Sequence, residues 1–235
     1  PYALSEQMMD AALERLTRHD GGRLFLFMHL MDPHYPYDAA TTKGSELNRY
    51  VAEAGLCSKG IGRLVQGLKE QGLWQRTILI VGADHGEGLN KHGIPRHNIG
   101  LYEEIARVPL LVRVPGVPGR QVDTPVTLLD LGPTILDLFG LPTPGSFMGQ
   151  SLVPFLRGES PELTRPIVSS ALFNANALYA FPHKIIHDRE KGTVEVYDLV
   201  DDPDERDNLA EERGDELRGR LETFMSVHAV ERRGK

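Results

Sequence analysis

The run Thr77-Ile78-Leu79-Ile80-Val81-Gly82-Ala83 breaks directly into Asp84-His85-Gly86-Glu87. A short apolar run of this kind predicts a buried strand. Residues 46–71 precede it, with Ile61, Leu64, Val65 and Leu68 on one helical face and Gly72 as the stop. A helix feeding a buried strand with charged groups at its carboxyl end points to an α/β layer architecture. In such sheets ligand sites form beyond the strand ends.

The rest of the chain extends this pattern. Residues 4–19 carry apolar groups at Leu4, Met8, Ala11, Ala12 and Leu16, a helical period with Ser5 as its expected N-terminal cap. Arg23–Leu30 is nearly all apolar and predicts a strand buried on both faces, followed by a polar loop from Asp32 to Ser45. Val108–Val114 predicts a further strand, stopped by Pro115-Gly116, and residues 131–139 and 151–157 predict helices. Residues 167–170, 177–187 and 193–199 then read as short strands without long helices between them, and 210–228 as a final amphipathic helix. The expected division is an α/β part, 1–164, and a small α+β part, 165–235.

Charge and cysteine usage narrow the chemistry. The formal charge is −7 and the basic residues are scattered over 235 residues, which argues against a nucleic-acid partner. Cys57 is the single cysteine, so an intramolecular disulfide and a cysteine-based zinc knuckle are both excluded. The sequence opens on Pro1 instead of Met, and the expectation is a native beginning upstream.

Asp84 and His85 pair a carboxylate with an imidazole at a strand end, which suits one divalent cation; the alternative is a turn cap beside a surface histidine. His92 and His97 bring three histidines within thirteen residues. A zinc-like site and a solvated loop are both compatible with that density. Glu103 or Glu104 has an obvious partner in Arg107. His34 lies between Pro33 and Pro36, which restrict its backbone and suit an imidazole that donates to an oxyanion or a leaving oxygen. An aromatic, proline-rich turn is the plainer reading. Glu46, Glu53 and Lys59 read as solvated helix positions, Cys57 as an unactivated thiol, and Asp201-Asp202-Pro203-Asp204 as a turn, since it lacks EF-hand spacing.

Four blocks in order resemble the sulfatase family of the alkaline-phosphatase-like superfamily: residues 25–37, Tyr50 to Leu64, residues 77–116 and residues 196–210. The resemblance implies an alkaline-phosphatase-like, largely parallel sheet with flanking helices, incomplete here, plus a small C-terminal antiparallel sheet and helix. By position, Asp84 and His85 resemble half of the family's metal site, and His34 a histidine contacting the sulfate or its leaving oxygen. His97 stands where many members have lysine, as a substrate contact. All four are expected to face one depression.

The resemblance also implies hydrolysis of sulfate esters at one divalent ion, calcium in the usual case and Mn²⁺, Mg²⁺ or Zn²⁺ as alternatives, with a formylglycine nucleophile. No Cys/Ser-x-Pro-x-Arg block occurs in these residues, and Cys57 is followed by Ser58-Lys59-Gly60-Ile61. The isolated chain is therefore expected to lack a nucleophile, and with an incomplete sheet to self-associate. A phosphonate or phosphodiester hydrolase, a phospho-headgroup transferase and a non-catalytic sulfatase-like binding module are the competing readings. Family habit implies a periplasmic, secreted or membrane-anchored extracytoplasmic location.

Overall fold

The computed structural model describes residues 5–97, 99–163, 165–171 and 175–228. Its contacts divide into two compact units, one running to Leu79 and including Arg113–Gly116, the other holding Ile80–Val112 and the chain from Val117 onward. The boundary expected at Thr164, like Leu4 in the first predicted helix, falls outside the described residues.

In the first unit, α1 (Ser5–Thr17) packs on α2 (Glu46–Glu70). Met9 and Ala12 bury against Leu64 and Leu68, and Leu13, Leu16, Met28, Leu30 and Trp74 close over them. The spacing 9, 12, 13, 16 is a single helical stripe, the reason this sequence docks as a helix. Gly67 permits the approach, since a Cβ there would lie 2.5 Å from the Leu13 methyl carbons.

Three expectations fail in this unit. Ser5 is not a cap: it is the first helical residue, and its amide donates to both Asp32 carboxylate oxygens at 3.0 and 3.2 Å, its hydroxyl to one of them. Asp32 satisfies the helix end in its place. Glu53 is not solvated but 1% exposed, accepting from the amides of Ala39 (2.7 Å) and Ala40, and burial pushes its carboxyl up. Residues 23–30 form no strand, and Phe25 and Phe27 are 60% and 76% exposed. A strand is a hydrogen-bonded ladder, not an apolar run, and among the described residues neither sheet includes this segment. Cys57 behaves as expected, with burial raising its thiol.

The predicted strands at 77–83 and 108–114 appear as β1 (Leu79–Gly82) and β2 (Leu110–Arg113), paired with each other. Between them lies α3 (Glu103–Ala106). In the second unit, α4 (Leu131–Leu138) and α5 (Val153–Leu156) match the predicted helices. Buried Asp130 ties them to the segment beyond α5, accepting from the amides of Thr127 and Gln150 and from Arg165 Nε at 2.7 Å.

The C-terminal region is an antiparallel sheet in the order β3 (Ile167–Ser170), β4 (Ala175–Ala180), β5 (His183–Asp188), β6 (Thr193–Asp198). The single strand expected over 177–187 is two, because Phe181-Pro182 turns the chain and proline cannot continue a ladder. On one face Leu178, Ile185 and Val196 bury under Leu217 and Leu221 of α6 (Ala210–His228); on the other, Ala177, Ile186 and Tyr197 pack with Leu101 and Tyr102. This is the expected small sheet backed by one helix. Among the described residues no helix is long and apolar enough to cross a membrane.

Candidate active site

Immediately after β1 the chain turns through Asp84, His85, Gly86 and Glu87. The Gly86 and Glu87 amides donate to the carbonyls of Ile105 (2.8 Å) and Glu104 (3.0 Å), so α3 straps the turn in place. Only glycine fits at position 86: a Cβ would sit 2.1 Å from the Glu104 carbonyl oxygen.

Asp84 Oδ1 accepts the His85 amide at 3.0 Å, while Oδ2 lies 3.8 Å from His85 Nε2. One oxygen thus serves the turn and the other faces the imidazole, so the two readings of Asp84 are compatible. His85 Nδ1 is 2.8 Å from the Gly86 carbonyl, which can only accept. Nδ1 therefore carries a proton, and in the neutral ring Nε2 presents its lone pair. The His85 ring stacks on His97 with centroids 3.9 Å apart and planes 22° apart. His97 Nδ1 lies 3.3 Å from Oε1 of Glu87, a buried carboxylate that sequence reasoning passed over. Asp84, His85 and His97 are thereby gathered in the second unit.

His34 belongs to the first unit. Its amide donates to Met31 O and its carbonyl accepts from Tyr37, while Nδ1 donates to Tyr35 O at 2.8 Å. Asp32 and Tyr37 are buried on either side, Tyr37 packing edge-on against Tyr35 and Tyr50. The aromatic, proline-rich turn is real, and it holds an exposed imidazole at its apex.

Two local expectations are corrected. His92 is not a solvated loop residue: its ring stacks on Tyr102 at 4.0 Å, Nδ1 bonds Glu104 at 2.7 Å and Nε2 lies 3.1 Å from Glu205 O. Glu103 and Glu104 turn to partners far away in sequence. Glu103 Oε1 accepts from Lys184 Nζ (3.0 Å) and Tyr179 Oη (2.9 Å); Glu104 takes His92 and lies 3.7 Å from Lys91. Lys184, 0% exposed, also lies 2.8 Å from Glu205 Oε1, an ion pair by distance though off the angle of a hydrogen bond. Burial raises the Glu205 carboxyl and Lys184 opposes the rise. Burial, with Glu103 alongside, likewise pushes the Tyr179 phenol up. The acidic 201–204 segment is the expected turn: Asp202 caps Arg206 and Asp207, and Asp204 pairs with Lys91.

Comparison with known proteins decides the family. The Sulfatase family profile matches residues 1–141, and the profile described as N-sulphoglucosamine sulphohydrolase, C-terminal, matches residues 96–228. The chain belongs to the sulfatase family. It is 32% identical over 169 residues to a Delta 4,5-hexuronate-2-O-sulfatase of Bacteroides thetaiotaomicron, covering 67% of this chain and 35% of that protein. Human arylsulfatase K is 33% identical over 166 residues, 64% of this chain and 31% of the other. A phosphonate monoester hydrolase from Silicibacter pomeroyi superposes with a TM-score of 0.66 at 27% identity, over 78% of this chain and 40% of that one. The chain spans about a third of the length of these curated sulfatases.

Sulfatases as a family imply a divalent ion, and the donor chemistry here can be tested against it. A ligating histidine ordinarily gives its other ring N–H to a carbonyl or carboxylate. His85 does so through Gly86, beside a carboxylate oxygen of Asp84. The pair fits two ligands of one ion. Among the described residues no group of three or more His, Cys, Asp or Glu is arranged to hold one.

Proposed function

We propose that these residues supply part of the metal- and sulfate-binding machinery of a sulfate-ester hydrolase, with Asp84 and His85 as two ligands of a divalent ion. Calcium is the expected ion, with Mn²⁺, Mg²⁺ or Zn²⁺ as alternatives. The observation that carries the reading is the tautomer of His85, fixed by the Gly86 carbonyl with Nε2 beside Asp84. When bound, the ion would withdraw charge from the sulfuryl oxygens.

His34 and His97 are proposed sulfate contacts. His34 Nδ1 and His97 Nδ1 already face Tyr35 O and Glu87, so either ring donates to a sulfate oxygen through Nε2 only as the imidazolium. Each would then stabilise charge on the sulfate or its leaving oxygen. Formylglycine is the proposed nucleophile, carried outside these 235 residues, which contain no matching block and are expected to show no aryl-sulfate turnover on their own. An extracytoplasmic setting follows the same reading.

The test is Mn²⁺ titration of the chain followed by NMR. The paramagnetic ion should broaden the His85 ring signals, and Asp84→Ala should abolish that broadening. Broadening unchanged in Asp84→Ala would overturn the ligand assignment. The likeness to a phosphonate monoester hydrolase favours one second reading, hydrolysis of a phosphonate or phosphate ester at the same ligands. Competition of sulfate against phosphate and phenylphosphonate for the Mn²⁺-loaded chain separates the two. Self-association is also expected, driven by the exposed Phe25 and Phe27. Sedimentation of Phe25→Ser/Phe27→Ser should show less of it than the parent.

A further inference from the structure

We propose that Lys184, in the C-terminal sheet, is a positioning residue for the Asp84–Glu87 turn. Its consequence for metal binding rests on the ligand reading above; its hold on the turn does not. Lys184 projects from β5 and is fully buried, with Nζ 3.0 Å from Glu103 Oε1 and 2.8 Å from Glu205 Oε1. Tyr179 Oη donates to the same Glu103 oxygen at 2.9 Å, and Lys184 Nζ lies 5.0 Å from the Tyr179 ring centroid. Glu205 Oε2 in turn accepts the Glu103 amide. The first residue of α3 is thus held by side chain and backbone together.

That grip matters because α3 has four residues. A single helical turn has no stability of its own, so its position is set by what holds its ends. At its other end the carbonyls of Glu104 and Ile105 receive the amides of Glu87 and Gly86. The Glu104 carbonyl also fills the space a Cβ at Gly86 would need, leaving the turn no slack toward the helix. Lys184 therefore connects to the turn through one side chain, one short helix and two backbone hydrogen bonds. Replacing a buried ion cluster by apolar groups is often neutral for stability, so what the charged arrangement adds here is direction.

The experiment is amide hydrogen exchange by NMR on the full chain, comparing the parent with Lys184→Met. The Phe139 amide, which bonds Ile135 O at the end of α4, serves as reference. Exchange at Gly86 and Glu87 should accelerate roughly tenfold or more beyond any acceleration at the reference, because local opening and global unfolding are separable in exchange. If Lys184→Met does not fold, Tyr179→Phe removes one bond to Glu103 and should move the same two amides less far. Unchanged protection at Gly86 and Glu87, or loss in step with Phe139, would overturn the proposal. Mn²⁺ broadening at His85 is read on the same samples. Its weakening alongside amide release supports both readings. Release of the amides with no broadening even in the parent sinks the metal assignment and leaves the positioning role standing.

Discussion

Glu103 and Glu104 are neighbours on one helical turn, and each meets a lysine and a second acid from one adjacent pair. Glu103 faces Lys184 and Glu205; Glu104 faces Lys91, which also holds Asp204 at 3.0 Å. Each cluster has one lysine and two acids, and His92 adds a titratable group to the second. Lys184 has no exposed side-chain area, whereas the Lys91 side chain is 42% exposed. Buried charges interact through a low dielectric and are costly when unpaired, while exposed ones are screened by water and salt. Burial, then, decides which cluster holds the fold and which decorates it.

The largest expected effect breaks the buried cluster. Lys184→Met leaves the Glu103 and Glu205 carboxylates without their cation and should cost about 3–5 kcal/mol in urea unfolding, the usual consequence of removing one partner of a buried pair. Adding Glu205→Gln removes one of the stranded charges and should recover part of that loss. If Lys184→Met costs less than about 1 kcal/mol, the cluster is no better than a surface pair and the contrast collapses.

Sequence reading reached the Asp84–Glu87 turn but neither of these clusters, since it gave Glu103 or Glu104 the partner Arg107. The strand before Asp84 and His85 was legible from its apolar run. The pair stood out as a candidate because ligand-type residues follow that strand's carboxyl end, although a turn cap beside a surface histidine accounts for the same residues. The helices were legible from periodicity, and the C-terminal sheet from its short runs and turn residues. Lys184 carried no signal: it lies inside the run 177–187, which reads as one short strand. Its burial depends on Glu205 arriving from the segment between β6 and α6 and on Glu103 from eighty-one positions upstream. Glu87 escaped for the same reason, since a carboxylate two residues past His85 looks solvated until His97 folds over it. Residues 23–30 failed in the opposite direction. Their composition stated a capacity for burial, but pairing is a property of a second strand.

His92 sits between the extremes, and pH sharpens the comparison there. Burial works against its charge, but the hydrogen bond and charge of Glu104, with the Glu205 carbonyl, outweigh it and raise its pKa above the ordinary 6.5. A raised histidine favours the folded state while protonated. Its contribution is complete below pH 6.5 and fades as pH climbs through the higher folded value. The stability gap between parent and His92→Ala should accordingly be wider at pH 5.5 than at pH 8.5, on top of a pH-independent loss of stacking on Tyr102. A gap that is flat or widens with pH would mean that His92 is held as the neutral ring.

The smallest effect is expected at Lys91, the outer counterpart of Lys184. Its ammonium is pulled up chiefly by the hydrogen bond to Asp204, against some burial, with Glu104 adding to the pull. A raised lysine contributes to stability wherever it is charged, from low pH until its folded value is passed, so nothing should change across the neutral range. Even so, a shift read at a group this exposed is diluted by solvent, and fixing a long side chain in one geometry costs entropy. Lys91→Met should therefore leave the urea midpoint within the scatter of repeat measurements at physiological salt, with a small loss appearing only at low ionic strength. Its Glu104 partner keeps the His92 bond to Oε1 at 2.7 Å in either case, so the carboxylate is not left without a partner. A loss that persists undiminished in molar salt would show that Asp204 closes over Lys91 in solution. The two lysines would then be alike, and sequence adjacency, not burial, would govern what each glutamate contributes.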